Sequence, residues 1–329
     1  LEELLVTGTY APQAELAASL SVLDQDDIQS LNKRSLAEVF STVPGLLVEQ
    51  QGGPGGLTAV SIRGAESNFT LVLLDGVPVN DPTNTRGGGF DFANLNPAVV
   101  ERVEIVRGAQ SVVYGSDALA GVINIVTRRP GKGHSEQIGA EWGEDDFANY
   151  FAAAQGAGDN WDYSADFSHR DDGEPVPGST RENDTANLRL GWKPADNYRL
   201  QFGYRYLDGE RTSYPEQSGG PEYAVTDDLD GGEYRDEVFS FGWTAQFTPH
   251  WQSRLSANRF DHQEDYFSPG IAPYVEVPPN AAETDFRRDQ LQWVNSLKLN
   301  GETVLLLGAD YRDEEGESEG YLNYFGMQF

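Results

Sequence analysis

Beyond about residue 130 the chain alternates apolar and polar positions with the two-residue period of a β-strand. Trp161, Tyr163, Ala165 and Phe167 face one way, and Asp162, Ser164, Asp166 and Ser168 the other. The rhythm returns in Tyr198, Leu200, Phe202, Tyr204 and Tyr206, and again in Phe239, Phe241, Trp243, Ala245 and Phe247. Thr303, Leu305, Leu307, Ala309 and Tyr311 repeat it once more. The pattern predicts about ten strands, near residues 135–143, 147–156, 161–169, 184–192, 198–208, 237–247, 251–261, 288–299 and 303–312, with a last one beginning at Tyr324. Connections at 157–160, 193–197, 248–250 and 300–302 read as short turns. Those at 169–183, 208–236, 262–287 and 313–324 read as long acidic loops.

The first 130 residues have a different rhythm. Ile28, Leu31, Leu36, Val39 and Phe40 recur at helical spacing after Asp24, Asp26 and Asp27, which predicts one short helix closed by Pro44-Gly45. Short extended runs follow at 46–49, 59–63, 70–75, 102–107 and 121–128, separated by Gly-rich or Pro-containing turns. Together they predict a small mixed α/β domain. Asp75-Gly76 reads as a hairpin turn rather than a catalytic acid.

Composition narrows the function. The 329 residues contain no cysteine, which removes disulfides and thiolate chemistry, and their four histidines are scattered. A formal charge of -30 excludes a nucleic-acid binder. The first 130 residues hold 15 acidic and 8 basic groups, a charge of -7, and leave -23 to the alternating part. No apolar run reaches the length of a membrane-spanning helix, and the start lacks a signal peptide, as expected of a mature or recombinant form. Transmembrane strands stay open, because their signal is alternation over about ten residues. Short turns at one end and long loops at the other are the arrangement of a bacterial outer-membrane barrel. In a soluble sandwich or exposed sheet, the aromatic faces would instead form cores.

Several stretches of the first domain carry a resemblance: Ser61-Ile62-Arg63-Gly64, the run from Val72 to Asn80 with Leu74-Asp75-Gly76-Val77-Pro78, Val100-Glu101-Arg102-Val103-Glu104-Ile105-Val106-Arg107-Gly108, and Tyr114-Gly115-Ser116-Asp117-Ala118 through Ile125. In this order they resemble the plug domain of TonB-dependent outer-membrane transporters, and the likeness continues through the alternating segments. The fold it implies is a mixed α/β plug domain followed by an antiparallel transmembrane β-barrel, with about 10 strands present of an expected 22. The implied division is a TonB-box-like segment at 1–10, the plug at 11–130 and the N-terminal portion of the barrel at 131–329. Ten strands alone would close too narrowly to hold a plug, so the chain is expected to be a fragment or to be completed by another segment or a second polypeptide.

The resemblance also implies roles. Glu3, Leu4, Leu5, Val6 and Thr7 look like the box that adds a strand to TonB, the partner that transmits energy from the inner membrane. Arg63, Arg102 and Arg107 are expected to pair with glutamates of the barrel wall. Ligand would meet the plug tips, where Gln51, Gly52, Gly53, Gly55, Asn68, Asn80 and Asn84 suit a neutral, amide-decorated molecule and Arg86 stands nearly alone as a cation. The Gly-Gly-Pro-Gly-Gly stretch at 52–56, Val99 to Glu104 and Ser116-Asp117-Ala118 resemble the cobalamin branch most, with ferric siderophores or haem as alternatives. That branch orders its outer loops with calcium, for which Asp171, Asp172, Asp184, Asp227, Asp228 and Asp230 are candidates, against a generally solvated acidic surface. No other cofactor is expected. An enzyme of the outer membrane, such as a hydrolase, or an adhesin is the competing class. No Gly-x-Ser-x-Gly elbow or phosphate loop appears, and His169, His250 and His262 lack an apolar frame for haem.

Overall fold

The computed structural model describes residues 19–33, 35–50, 55–83, 89–114, 116–129, 133–215, 218–224, 229–270, 278–299, 303–324 and 327–328. In the first domain the elements are β1 (Ser19–Asp24), α1 (Gln25–Ser30), α2 (Leu36–Phe40), β2 (Leu46–Gln50), β3 (Thr58–Ile62), β4 (Thr70–Leu74), β5 (Val77–Pro78), β6 (Val100–Arg107), α3 (Ser111–Tyr114) and β7 (Gly121–Thr127). A five-stranded sheet runs β1-β6-β7-β4-β5, and β2 and β3 pair as a separate hairpin. The β4–β7 pair is parallel. All seven residues of β7 are buried, as its continuous Val-Ile-Asn-Ile-Val run requires of a central strand.

Two helices stand where one was expected. Asp24 and Asp27 form a reciprocal capping box on α1, which ends where Asn32 turns left-handed with φ 48°. Ser35 then caps α2 by accepting from the Glu38 N–H. Strand β1 was not foreseen; it is an edge strand that pairs with β6 along its whole length. The hairpin reading of Asp75-Gly76 holds, with φ of 55° and 86° between β4 and β5. Leu36, Val39, Phe40, Val103, Ile105, Ile123 and Ile125 close an apolar core, with Phe40 edge-on to Phe92 at 5.2 Å.

The second domain is one antiparallel meander of β8 (Gly133–Trp142), β9 (Ala148–Ala157), β10 (Trp161–Asp171), β11 (Thr180–Ala195), β12 (Tyr198–Ser213), β13 (Asp230–Thr248), β14 (Trp251–Ser268), β15 (Asn280–Lys298), β16 (Val304–Tyr324) and β17 (Met327–Gln328). Neighbours in sequence are neighbours in the sheet. Strand number and short-turn ends match expectation, but the opposite ends do not. Residues 313–324, expected as a loop, belong to β16, and β13, β14 and β15 extend through much of 230–236, 262–268 and 280–287. These three strands have 18 or 19 residues and β16 has 21, where about 9–11 suffice to cross a bilayer. Above the lipid both faces meet polar surroundings, so pairing continues without apolar alternation to advertise it.

Which face is inward is fixed by contact with the plug. Arg181 and Arg211 reach plug atoms, so Glu182 and Glu210 beside them point outward. The outward face carries Trp161, Trp192, Phe202, Phe241, Leu291, Trp293, Leu307 and Tyr311, all exposed. Such a surface suits lipid, with tryptophans near the short-turn ends as an interfacial girdle.

Candidate functional site

The plug is seated on the wall largely through charged and hydrogen-bonded side chains, with one apolar patch where Val238, Phe260 and Phe286 of the wall join the plug core. The main contact is a clamp on Asp91, in the plug segment between β5 and β6. Arg181 of β11 donates to Asp91 Oδ2 at 2.9 Å, and Arg211 of β12 donates to the same oxygen at 3.2 Å. Asp91 Oδ1 accepts from the Thr58 and Ala93 N–H groups at 3.0 and 3.1 Å. Burial works against ionisation of Asp91, but the two guanidiniums and the Thr58 N–H outweigh it and hold its carboxyl below the ordinary carboxylate value.

Arg181 is almost wholly buried and uses the rest of its fork on the plug. It donates to the carbonyls of Gly55 and Gly56 at 3.0 and 2.8 Å and to the Asn94 side chain. Gly55, at φ 82°, lies so near the wall that an added Cβ would come within 2.2 Å of the Thr212 carbonyl oxygen. Arg211 also pairs with Glu264, whose neighbour on the same face, His262, bonds Asp236 at 2.6 Å and lies 3.7 Å from Asp81 of the plug.

Lower contacts repeat the polarity. Arg189 pairs with Asp75, Arg312 with Asp117 at 3.4 Å, and Arg288 donates to the carbonyls of Pro78 and Asn80 at 3.1 and 3.0 Å. Asn96 donates to Asn149 at 2.8 Å, and Ser164 to the Arg128 carbonyl at 3.0 Å.

Along these ten strands the polarity is the other way from the expected one, in which plug arginines meet wall acids. Arg102 bonds Glu101 and Glu104 within the plug, and Arg107 donates to Ser19 and Ser21 of β1. Arg63, in a left-handed turn at φ 54°, lies close enough to Arg107 to push its proton affinity down further after burial has done so. Among the described residues, the arginines that hold this part of the seam are on the wall, and the acids are on the plug. Arg181, Arg189, Arg211, Arg288 and Arg312 were missed, though spacing could have flagged the first two: 181, 183, 185, 187 and 189 are polar positions of one strand face.

The expected ligand residues do not form one described surface. Gly55 is a wall contact. Asn80 is buried, with its Oδ1 accepting from the Val72 N–H at 2.7 Å and its Nδ2 donating to the Thr70 carbonyl at 3.0 Å. Asn68 lies in a 3-10 turn, Ser67–Phe69, and is half-buried, with its Oδ1 covered. Gln51, Gly52, Gly53, Asn84 and Arg86 lie outside the described residues, as do Glu3, Leu4, Leu5, Val6 and Thr7.

The metal candidates separate as well. Asp171 and Asp184 share the outward parity, with Asp184 3.0 Å from His169, while Asp172 accepts from Arg170 at 2.6 Å. Asp230 lies against Tyr266 and Ser268, and Asp227 and Asp228 are outside the described residues. Among the described residues no three His, Asp or Glu side chains are arranged to hold a metal ion.

A plug seated by polar contacts against a lipid-facing meander defines a plugged outer-membrane barrel protein. The comparisons give the family: residues 12–122 match the model of the TonB-dependent Receptor Plug Domain. The chain is 31% identical over 326 residues to a Vitamin B12 transporter BtuB of Vibrio vulnificus strain CMCP6, covering 94% of this chain and 50% of that protein. To the protein of the same name in strain YJ016 it is 26% identical over 335 residues, covering 98% and 51%. Its fold is that of the ferric yersiniabactin uptake receptor FyuA of Yersinia pestis, with a TM-score of 0.77 at 17% identity over 95% of this chain and 51% of that one. The pyoverdine receptor FpvA of Pseudomonas aeruginosa gives 0.78 at 15%, over 93% and 48%. The chain thus carries a TonB-dependent receptor plug domain followed by part of an outer-membrane barrel. It spans about half the length of the curated relatives it matches.

Proposed function

We propose that the chain supplies the plug and the first part of the wall of an importer that takes cobalamin across the outer membrane, driven through TonB. The observation that carries the solute is likeness along nearly the whole chain to two proteins named as vitamin B12 transporters. The geometry supports import in general: a plug held mostly by polar contacts can rearrange where a wholly apolar interface would hold it.

In this reading Glu3 to Thr7 recruit TonB by strand addition. Gln51, Gly52, Gly53, Asn84 and Arg86 meet the solute from outside. Arg63 and Arg107 lie side by side and face carboxylates of wall strands beyond these ten, from the same or another polypeptide. Calcium ordering of the outer loops falls to Asp227 and Asp228 beside Asp230, since the other three acids are spread over both faces of the wall.

Titration of the full-length protein in detergent with cyanocobalamin, with and without a calcium chelator, tests the reading. Saturable binding that weakens on chelation supports both parts. Absence of cobalamin binding, with binding of a ferric siderophore instead, would move the solute to the class handled by the structural neighbours.

A further inference from the structure

An imidazole on the inward face of the wall, that of His262 on β14, stands among three carboxylates. Asp236, directly opposite on β13, meets its Nδ1 at 2.6 Å. Asp81 of the plug and Glu264 of the same strand lie 3.7 and 4.0 Å from its Nε2. Phe286 stands opposite on β15 and Phe260 two residues back, so apolar rings close the side that carries no acid. The neighbouring cations are engaged: Arg211 with Glu264 and Asp91, and Arg288 with Glu314 and the carbonyls of Pro78 and Asn80. Arg205 of β12, which donates to Asn187, also acts on Asp236 by charge. The outward positions of β14 are already polar at Arg259, Asp261 and Gln263, so this cluster lies above the lipid-facing band.

Acids on both sides of the ring demand two N–H donors. A neutral imidazole carries one, and with that one on Asp236 the bare Nε2 turns its lone pair on Asp81 and Glu264. The imidazolium donates on both sides. Burial opposes its charge, but Asp236, by charge and hydrogen bond, and then Asp81 and Glu264 outweigh burial and raise the His262 pKa to about 9. Asp81 in turn is where the plug segment 81–89 leaves and returns. Its N–H donates to the Gly89 carbonyl at 3.1 Å, and its Oδ1 accepts from the Thr83 N–H at 2.9 Å and from the Thr83 hydroxyl. The Thr83 methyl lies 2.7 Å from where a Cβ on Gly316 of β16 would stand, so the wall leaves room for it. The remaining Asp81 oxygen is the one turned to His262.

We propose that His262, as an imidazolium, is the positioning residue for plug segment 81–89: it ties Asp81 to Asp236 of the wall, and alkali unties it. A group whose seated pKa is raised contributes fully below its unfolded value, about 6.5, and loses that contribution as pH rises through the seated one. The tie is therefore intact at neutral pH and fails around pH 9. The inference rests on the importer reading only in taking this segment to face the solute.

Gly89 has open space where a side chain would project, and these residues contain no cysteine, so a nitroxide on Gly89→Cys reports on the base of the segment. The label would be placed in the full-length protein, with any cysteine elsewhere replaced, and its spectrum followed across a pH series in isolated outer membranes. An immobilised label is expected at neutral pH, with roughly threefold more of the mobile component a unit above a midpoint of about 9. His262→Gln should be mobile already at neutral pH and show no alkaline step. Asp81→Asn, which leaves the wall pair in place, should behave the same way and decides the matter if the first variant fails to insert. Cyanocobalamin titration over the same series separates the two readings. Affinity that falls with the step supports both, and affinity unchanged across it removes the positioning role. A step without cobalamin binding at any pH keeps the tie and removes the solute. A label equally immobile on both sides of the midpoint, or a step that survives in either variant, overturns the proposal.

Discussion

The interior of the plug and the seam between plug and wall are both buried, and outside the patch where Val238, Phe260 and Phe286 of the wall join the plug core they are built on opposite principles. Inside, Leu36, Phe40, Val103, Ile105 and Ile123 have 0% relative exposure and touch other apolar groups. At the seam, Arg181 and Asp91 are buried against each other, with Arg211 and Glu264 half-buried beside them. Burial of apolar area is non-directional and cannot be broken one contact at a time. A charge clamp concentrates its hold in a few atoms and can be released by displacing them. The contrast describes a domain that can stay folded while it leaves its seat.

The largest expected effect tests the interior. Phe40→Ala removes a ring packed on Phe92 and should destabilise the plug by about 3–5 kcal/mol. Limited proteolysis would then show cleavage inside 19–127 rather than at its ends. Plug fragments that remain resistant would break the comparison.

Next comes the clamp. Asp91→Asn leaves Arg181 and Arg211 buried without their shared carboxylate, and the seating should weaken by about 3 kcal/mol. The signature differs from that of Phe40→Ala: the plug core keeps its protection while its junction with the wall becomes accessible to protease. The pH dependence follows from sign. A carboxyl held below its unfolded value, about 3.9, contributes fully above that value and loses its contribution as pH falls through the folded one. Seating should therefore be flat at neutral and mildly acid pH and loosen only in strong acid. Asp91→Asn should abolish that acid step, as followed by protection of the plug junction across a pH series.

Gly55→Ala sharpens the same contrast at smaller size. The position combines φ 82° with a wall carbonyl 2.2 Å from any Cβ, so a shift of the β2–β3 connection and about 1–3 kcal/mol of weaker seating are expected. The loss should be read in the melting of the plug–wall junction, with the plug core unchanged.

How much of this was legible in the sequence divides along physical lines. The lipid-facing part of each strand was plain, because Trp, Phe and Leu outward against polar inward produce the alternation. The upper parts of β13 to β16 were not, since Glu233 outward and Glu264 inward look alike in a sequence. The plug motifs were readable as motifs, but not their partners: Arg102 turns back to Glu104 two residues along its own strand, whereas Arg181 reaches Asp91, 90 residues earlier. Local spacing cannot report a contact of that range. It could report parity, and the run of polar inward positions from Arg181 to Arg189 was the available signal.

The finest test sets two adjacent residues against each other. Arg211 points inward and is paired with Asp91 and Glu264; Glu210 points outward in a row where Glu182, Glu210, Glu233, Asp265, Glu283 and Glu319 oppose one another on six successive strands. Like charges directly opposite on a sheet are mildly destabilising, and an exposed row is screened by salt. Glu210→Gln should therefore raise the melting temperature slightly at low ionic strength, with the gain vanishing as salt is added. Arg211→Gln, one residue away, should lower it at every salt concentration, because the Asp91 carboxylate it serves is buried beyond the reach of screening ions. If both substitutions responded to salt alike, the seam would be as solvated as the outer surface, and its hold on the plug could not rest on buried charge.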